Sequence, residues 1–199
     1  MQALLKLSDS VDALGTQIGR LIRWLVLGSV LISAGNAIIR KIFNISSNAF
    51  LEIQWYLFAG VFLLGAGFAF MRNVHVRIDF ISSKLSKRTN TLIDIAGIVV
   101  FLIPLCLIMV WLSWPLFASA WVSGEMSQNA GGLIRWPAYL LIPLGFGLLL
   151  LQALSELVKR IAFLKGLRAE PMSIEPGKSD EEILAEELAA EAAKKQSGA

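Results

Sequence analysis

The sequence predicts an all-α integral membrane protein with four transmembrane helices, an amphipathic N-terminal helix and a cytoplasmic surface helix between the second and third spans. Three observations indicate this fold class. Hydrophobic residues make up 56% of the chain and charged residues 17%, whereas soluble domains have about 45–50% and about 25%. The mean hydropathy is +0.66. The charged residues stand in short blocks, and these leave four long apolar stretches between them.

The four apolar stretches have the length that a membrane span requires. They cover residues 21–39, 50–70, 92–114 and 137–157, and each is close to the roughly 20 residues that cross a bilayer's hydrocarbon core. Together they predict a membrane domain over residues 21–158. We expect Pro104 to kink the third span, and Pro137 suits the first turn of the fourth.

The remaining segments are too polar to span a membrane. Residues 1–20 repeat apolar positions with a helical period, which predicts an amphipathic helix that either lies in the membrane interface or docks on a partner subunit. Residues 71–91 are basic and contain Asp79, which can cap a short helix on the membrane surface. Residues 115–136 are predicted to form an external loop, and residues 159–199 a flexible, acidic cytoplasmic tail.

The basic residues predict the orientation of the spans. Twelve Lys and Arg residues flank the spans on the side of the N-terminus, the middle loop and the tail, against three on the opposite side. Loops rich in Lys and Arg stay in the cytoplasm. The sequence therefore predicts that both termini are cytoplasmic. This placement accounts for the basic residues without a nucleic-acid partner.

Glu52 is the first candidate site residue, because it is a carboxylate near the outer end of the second span. Ionisable residues inside spans indicate function by default. Three roles remain open, namely a structural anchor, a polar contact between subunits and a proton relay. We expect Glu52 to meet Asn129 or Arg135 on the external side. We also expect Trp136 to anchor the start of the fourth span.

Small residues predict where another helix packs. The second span carries Gly60, Gly65, Gly67 and Ala69 at spacings that make one face smooth. In the first span, Asn36 follows three small residues, and its amide either seeks a partner across a helix contact or lies near the headgroups. We expect both patches to lie at an interface with another subunit.

A polar block follows the second span and contains Asn73, His75, Arg77 and Asp79. We expect Arg77 and Asp79 to fix the cytoplasmic hinge between the second and third spans. His75 is the only histidine in the chain. A haem-b anchor needs two axial histidines, and a catalytic zinc needs several converging ligands. The sequence therefore predicts neither a metal site nor a cofactor.

The sequence offers no set of residues for catalysis. It contains no Ser/His/Asp set and no phosphate-binding loop, no span has an ionisable residue near its midpoint, and the single cysteine, Cys106, provides no disulfide framework. These observations predict a protein that is not an enzyme and carries no substrate site. Two alternatives remain open, a membrane anchor of a redox complex and a small homo-oligomeric channel or exporter.

Several motifs follow one another in a distinctive order. They are Glu52 to Trp55, Leu64 to Ala69, Asn73 to Asp79, Lys84 to Ser86, Gly131 to Pro137 and Ile142 to Phe146. In this order and spacing the chain resembles the small membrane subunit, DctQ type, of tripartite ATP-independent periplasmic (TRAP) transporters. Ile134 replaces a proline that is frequent in that family, which implies a local change in the turn.

The resemblance implies a bacterial inner-membrane subunit that works only in a heteromeric complex. In that family a larger, DctM-type subunit carries the substrate and sodium sites. A periplasmic binding protein delivers the substrate, commonly an organic acid. The small subunit lies against the scaffold of the large one and stabilises it. The resemblance therefore implies a sodium symport system in which the sodium site lies outside this chain.

Overall fold

The computed structural model describes residues 2–44, 47–73 and 85–168. Within these residues it contains four long helices, which we number in chain order. They are α1 (Gln2–Phe43), α2 (Asn48–Arg72), α3 (Lys87–Ser123) and α4 (Trp136–Leu164). All four are long and apolar enough to cross a membrane. The predicted all-helical class with four candidate spans is confirmed.

Some predicted features lie outside the described residues. They are His75, Arg77 and Asp79 of the polar block, the surface helix predicted between the second and third spans, and the tail from residue 169 onward.

The first helix is longer than the predicted first span. The amphipathic segment and the span form one uninterrupted helix of 42 residues, with no break between residues 20 and 21. At 1.5 Å per residue this helix is about 63 Å long, roughly twice the thickness of a hydrocarbon core. Part of α1 must therefore project beyond the hydrocarbon.

The second helix ends at Asn73. This residue has a φ of 53°, in the left-handed region, and its backbone N–H donates to the carbonyl of Phe70 at 3.1 Å. Asparagine tolerates this conformation better than most residues and often terminates a helix. The structural role of Asn73 is thus to end α2.

The third helix contains a π-helical turn over Ile98–Leu102, and the N–H of Ile103 bonds to the carbonyl of Ile98. The turn directly precedes Pro104, which has no N–H and whose ring would crowd the carbonyl four residues earlier. A wider turn relieves that conflict. The helix then continues through Pro115 to Ser123 and ends at Gly124, where φ is 63°. The loop between α3 and α4 therefore begins nine residues after the predicted start at residue 115.

The fourth helix also exceeds its prediction. It runs to Leu164, beyond the expected end at residue 157, so residues 159–164 belong to the helix and not to the tail. Gly166, with φ of 71°, follows its end. The N–H of Leu167 closes the last turn on the carbonyl of Ala162 at 3.0 Å.

α4 is the central helix of the described bundle. It packs against α1, α2 and α3. About a third of the residues in its most apolar 18-residue stretch are buried, whereas about a tenth or less are buried in the corresponding stretches of the other helices. α2 lies parallel to it in close contact, since a Cβ at Gly145 would stand 2.7 Å from the Leu63 carbonyl oxygen. α1 and α3 run antiparallel to α4. Helix ends that are far apart in the sequence therefore come together at each of the two ends of the bundle.

Candidate functional site

At one end of the bundle, Glu52 is the centre of a group of hydrogen bonds that we call the loop cluster. Its carboxylate accepts from the Leu133 backbone N–H at 2.6 Å, from the Asn129 amide at 2.8 Å and from the Ser127 hydroxyl. The Glu52 side chain is buried, with 3% exposure. The structure thus brings Glu52 and Asn129 into direct contact, and it adds Ser127 and Leu133.

The loop over residues 124–135 has a fold that presents these donors. The Ser127 N–H donates to the Leu133 carbonyl and the Arg135 N–H to the Glu125 carbonyl, both at 2.9 Å, so the two sides of the loop run antiparallel. Gly132 lies at the closest point. A Cβ there would stand 2.5 Å from the Ser127 Cβ and 2.9 Å from a Glu52 oxygen. Glycine is required at this position because no side chain fits.

Arg135 belongs to the same loop but does not bind Glu52. It forms an ion pair with Glu125 at 2.7 Å, and both side chains are partly exposed. The hydrogen bond that Arg135 donates to the Glu125 carboxylate raises the pKa of Arg135 above its ordinary value. Of the two partners predicted for Glu52, the structure selects Asn129.

At the opposite end of the bundle, five charged side chains from three helices form what we call the charged cluster. α1 contributes Asp12, α3 contributes Asp94, and α4 contributes Glu156, Lys159 and Arg160. Lys159 binds Asp12 at 2.8 Å and also binds Glu156. Arg160 binds Glu156 and reaches Asp94 at 3.3 Å. The carboxylates and cations thus alternate from α1 through α4 to α3.

The three α4 side chains of the charged cluster lie inside the protein. Lys159 has no exposed side-chain surface, and Glu156 and Arg160 have 2% and 4%. Uncharged neighbours complete the hydrogen bonding, since the Gln152 amide donates to Asp12 at 2.9 Å and the Ser8 and Ser155 hydroxyls lie 2.6 Å apart. Buried charges are tolerated when they are paired and hydrogen-bonded in this way.

The predicted small-residue face is used mainly inside the chain. Gly60 and Gly67 are buried, Gly60 against Leu25 and Leu141 and Gly67 against the backbone of Leu148. They therefore pack against α1 and α4 and do not offer a surface to another subunit. Gly65 is half-buried beside Ile22, and Ala69 is half-buried on the same helix.

Two other predicted residues lie elsewhere in the bundle. Trp136 packs edge-to-face on Trp121 with ring centroids 4.6 Å apart, so it joins the end of α3 to the start of α4. Asn36 is half-buried on α1. Nearby Gly35 has no atom within 4 Å of the place where a Cβ would stand. The segment around Gly35 therefore remains open.

Sequence reasoning missed the charged cluster. In sequence, Lys159 and Arg160 have the pattern of basic residues that flank a span, and Asp94 lies near the predicted start of the third span at residue 92. The structure starts α3 at Lys87 and gives Asp94 the partner Arg160. The available signal was the spacing of Gln152, Glu156 and Lys159, which places them on one face of a helix.

Both clusters consist of hydrogen bonds and ion pairs that have a structural role. The donors to Glu52 are a hydroxyl, an amide and a backbone N–H, and none of them titrates near neutral pH. In the charged cluster, each buried charge contacts a charge of the opposite sign. Across the described ranges, no group of three His, Cys, Asp or Glu side chains could hold a metal ion. The arrangement holds helices and a loop in position.

Comparison with protein families gives a match to most of the chain. The family model described as "Tripartite ATP-independent periplasmic transporters, DctQ component" matches residues 12–163. The matched range begins at Asp12 and extends past Arg160, so it contains both clusters in full. Searches of curated proteins and of solved structures returned no significant match.

Proposed function

The chain belongs to the DctQ family of TRAP transporter components, and on that premise we propose that it is the scaffold subunit of a sodium-coupled importer of an organic acid. It is a multi-pass membrane protein and part of a transporter, not a member of an enzyme family. In this proposal it lies in the bacterial inner membrane with both termini in the cytoplasm. It supports a larger, DctM-type subunit, and a periplasmic binding protein supplies the substrate.

One observation carries the scaffold role. Every buried charged side chain in the described ranges, namely Glu52, Glu156, Lys159 and Arg160, is bonded to other groups of this chain. These residues lie toward the ends of the helices. A transport site needs polar groups left available to a substrate or an ion near the middle of the membrane. We therefore place the substrate and sodium sites in the large subunit, with no cofactor in this one.

For the interface with the large subunit we propose the open part of α1 around Gly35 and Asn36. Gly60 and Gly67 are already occupied by α1 and α4. Gly35 instead leaves space for a close approach by a helix from outside the chain. Asn36 could then hydrogen-bond across that contact.

Co-purification and transport test this proposal. The large subunit is tagged and expressed with the wild-type chain, without it, or with Gly35→Leu, and substrate uptake is measured in proteoliposomes with the binding protein and a sodium gradient. We expect uptake to disappear without the chain and the Gly35→Leu variant to co-purify poorly.

Gly147→Leu is the matched control, because Gly147 on α4 also has no atom within 4 Å of a Cβ. Undiminished uptake without this chain would overturn the scaffold role. Equal co-purification of the two variants would overturn the proposed interface alone. The redox-anchor and channel alternatives have no supporting observation.

A further inference from the structure

An open groove of about 420 Å³ lies between α1 and α2 near the end of α2. Three arginines line it, Arg20 and Arg23 from α1 and Arg72 from α2. Its other walls include Gly19, Gly65 and the ring of Phe68. The groove therefore combines positive charges with an apolar floor.

Close helix packing forms this floor. A Cβ at Gly19 would stand 2.7 Å from the Phe68 ring, and a Cβ at Gly65 would stand 3.3 Å from the end of Ile22. These two contacts set α1 and α2 antiparallel and bring Arg20 and Arg23 to the level of the last turns of α2. The Arg72 guanidinium stands over the Phe68 ring, 5.4 Å from its centroid.

The groove arginines differ from the cations of the charged cluster. All three are exposed, and no carboxylate lines the groove. Within the described residues none of them forms an ion pair, whereas Lys159 and Arg160 are buried against carboxylates. Their positive charge is therefore available to an anion from outside the chain.

The surroundings of the groove are those of a membrane interface. Trp24, next to Arg23, is 70% exposed, and tryptophan is enriched at the level of lipid headgroups. Arg20 and Arg23 also flank the apolar part of α1. Basic pockets between transmembrane helices at this level bind anionic phospholipid headgroups, and guanidinium groups suit phosphate oxygens through paired N–H donors.

We propose that the groove binds an anionic phospholipid. The lipid phosphate lies among Arg20, Arg23 and Arg72, and an acyl chain lies over the floor formed by Gly65 and Phe68. A lipid fits the site better than a soluble phosphate because the floor beside the arginines is apolar and can hold an acyl chain. This inference rests on the groove alone and does not require the transporter role.

Native mass spectrometry of the full-length chain in a neutral detergent tests the proposal. The protein is incubated with equal amounts of phosphatidylglycerol and phosphatidylcholine, and the retained lipids are counted. We expect the wild type to retain phosphatidylglycerol. Arg20→Gln/Arg23→Gln should retain it at least about fivefold less, because a basic residue near a membrane surface contributes about that factor.

Arg40→Gln/Lys41→Gln is the matched control, since it removes two exposed positive charges from the other part of α1. It should retain phosphatidylglycerol like the wild type. Arg20→Lys/Arg23→Lys keeps the charges and should retain most of the binding. Gly65→Leu keeps the arginines but fills the floor, and it should lose retention while circular dichroism shows unchanged helix content.

Three outcomes would overturn the proposal. The first is equal loss in the Arg40/Lys41 control, which would indicate a general charge effect. The second is full displacement of the lipid by millimolar inorganic phosphate, which would indicate a site for a free anion. The third is unchanged lipid retention by the Arg20→Gln/Arg23→Gln variant.

Discussion

The two polar clusters of this protein stabilise buried carboxylates in different ways. In the loop cluster, one carboxylate is surrounded by three neutral donors, and all three come from a single loop. In the charged cluster, carboxylates and cations from three helices neutralise one another. Both clusters bury charge at an end of the bundle. The loop cluster fixes a connection between helices, and the charged cluster fixes the helices themselves.

The difference concerns what each cluster holds together. Removing a neutral donor from Glu52 leaves a carboxylate with other donors nearby, and the helices keep their apolar contacts. Removing Lys159 from the charged cluster takes a cation away from both Asp12 and Glu156, at a place where α1, α3 and α4 meet. We therefore expect global destabilisation from the charged cluster and local loosening from the loop cluster.

The largest effect should come from Lys159→Met. This change leaves Asp12 and Glu156 without their shared cation, and breaking a buried ion pair by removing one partner costs about 3–5 kcal/mol. We expect the apparent Tm of the purified chain to fall by on the order of 10 °C. Fluorescence-detected size-exclusion chromatography after heating measures it.

Lys165→Met is the matched control, because Lys165 is exposed just beyond the end of α4. It should leave the apparent Tm close to that of the wild type. If the two methionine variants melted together, the charged cluster would have no special role in stability.

We expect an intermediate loss of stability from Gly145→Ala. Gly145 lies at the contact between α2 and α4, two helices that run between the ends of the bundle. The added methyl would meet the Leu63 carbonyl and Cβ at 2.7 Å. Overpacking of this kind costs about 1–3 kcal/mol, and the better helix propensity of alanine offsets about 1 kcal/mol of it. The same melting assay should show a small but clear loss.

Gly147→Ala provides the comparison two residues further along the same helix. Nothing lies within 4 Å of its Cβ position. This variant should be as stable as the wild type or slightly more stable. A loss equal to that of Gly145→Ala would show that the α2 contact is not the cause.

The smallest global effect should come from Glu52→Gln. Glutamine keeps one oxygen acceptor but places an NH₂ group where an acceptor is needed, so one of the donors from Asn129 and Leu133 loses its partner. We expect amide hydrogen exchange over residues 124–135 to become at least about tenfold faster. Exchange in α1 should stay unchanged.

Glu125→Gln tests whether any lost charge in the loop has this effect. Its ion pair with Arg135 is partly exposed, and such pairs contribute little to stability. Exchange over the loop should rise only slightly. If both variants exchanged alike, Glu52 would not be the centre that orders the loop.

Part of the candidate site could be predicted from residue chemistry. Glu52 stands out because a carboxylate inside an apolar run is costly. Its neighbour Asn129 was one of two suggested partners, and contact with it is present at 2.8 Å. Lys159 and Arg160 cannot be recognised as buried from the sequence, for a physical reason. A basic residue after an apolar run has the same appearance in sequence whether it reaches water or a buried carboxylate.

The glycines show a similar limit of prediction from the sequence. The spacing of Gly60 and Gly67 indicates correctly that helices approach α2 closely. It does not indicate that those helices belong to the same chain, as their contacts with Leu25 and Leu148 show.

The number and approximate position of the spans follow from the chain alone, because transfer into a bilayer depends on the summed hydropathy of about 20 consecutive residues. The ends of the helices could be predicted less well from the sequence. Capping, the π-helical turn and the continuation of α3 through Pro115 depend on local geometry, which hydropathy does not describe. The partners of the buried charges required the tertiary structure. Lys159 and Asp12 lie 147 residues apart, and their meeting depends on which faces of α1 and α4 pack together.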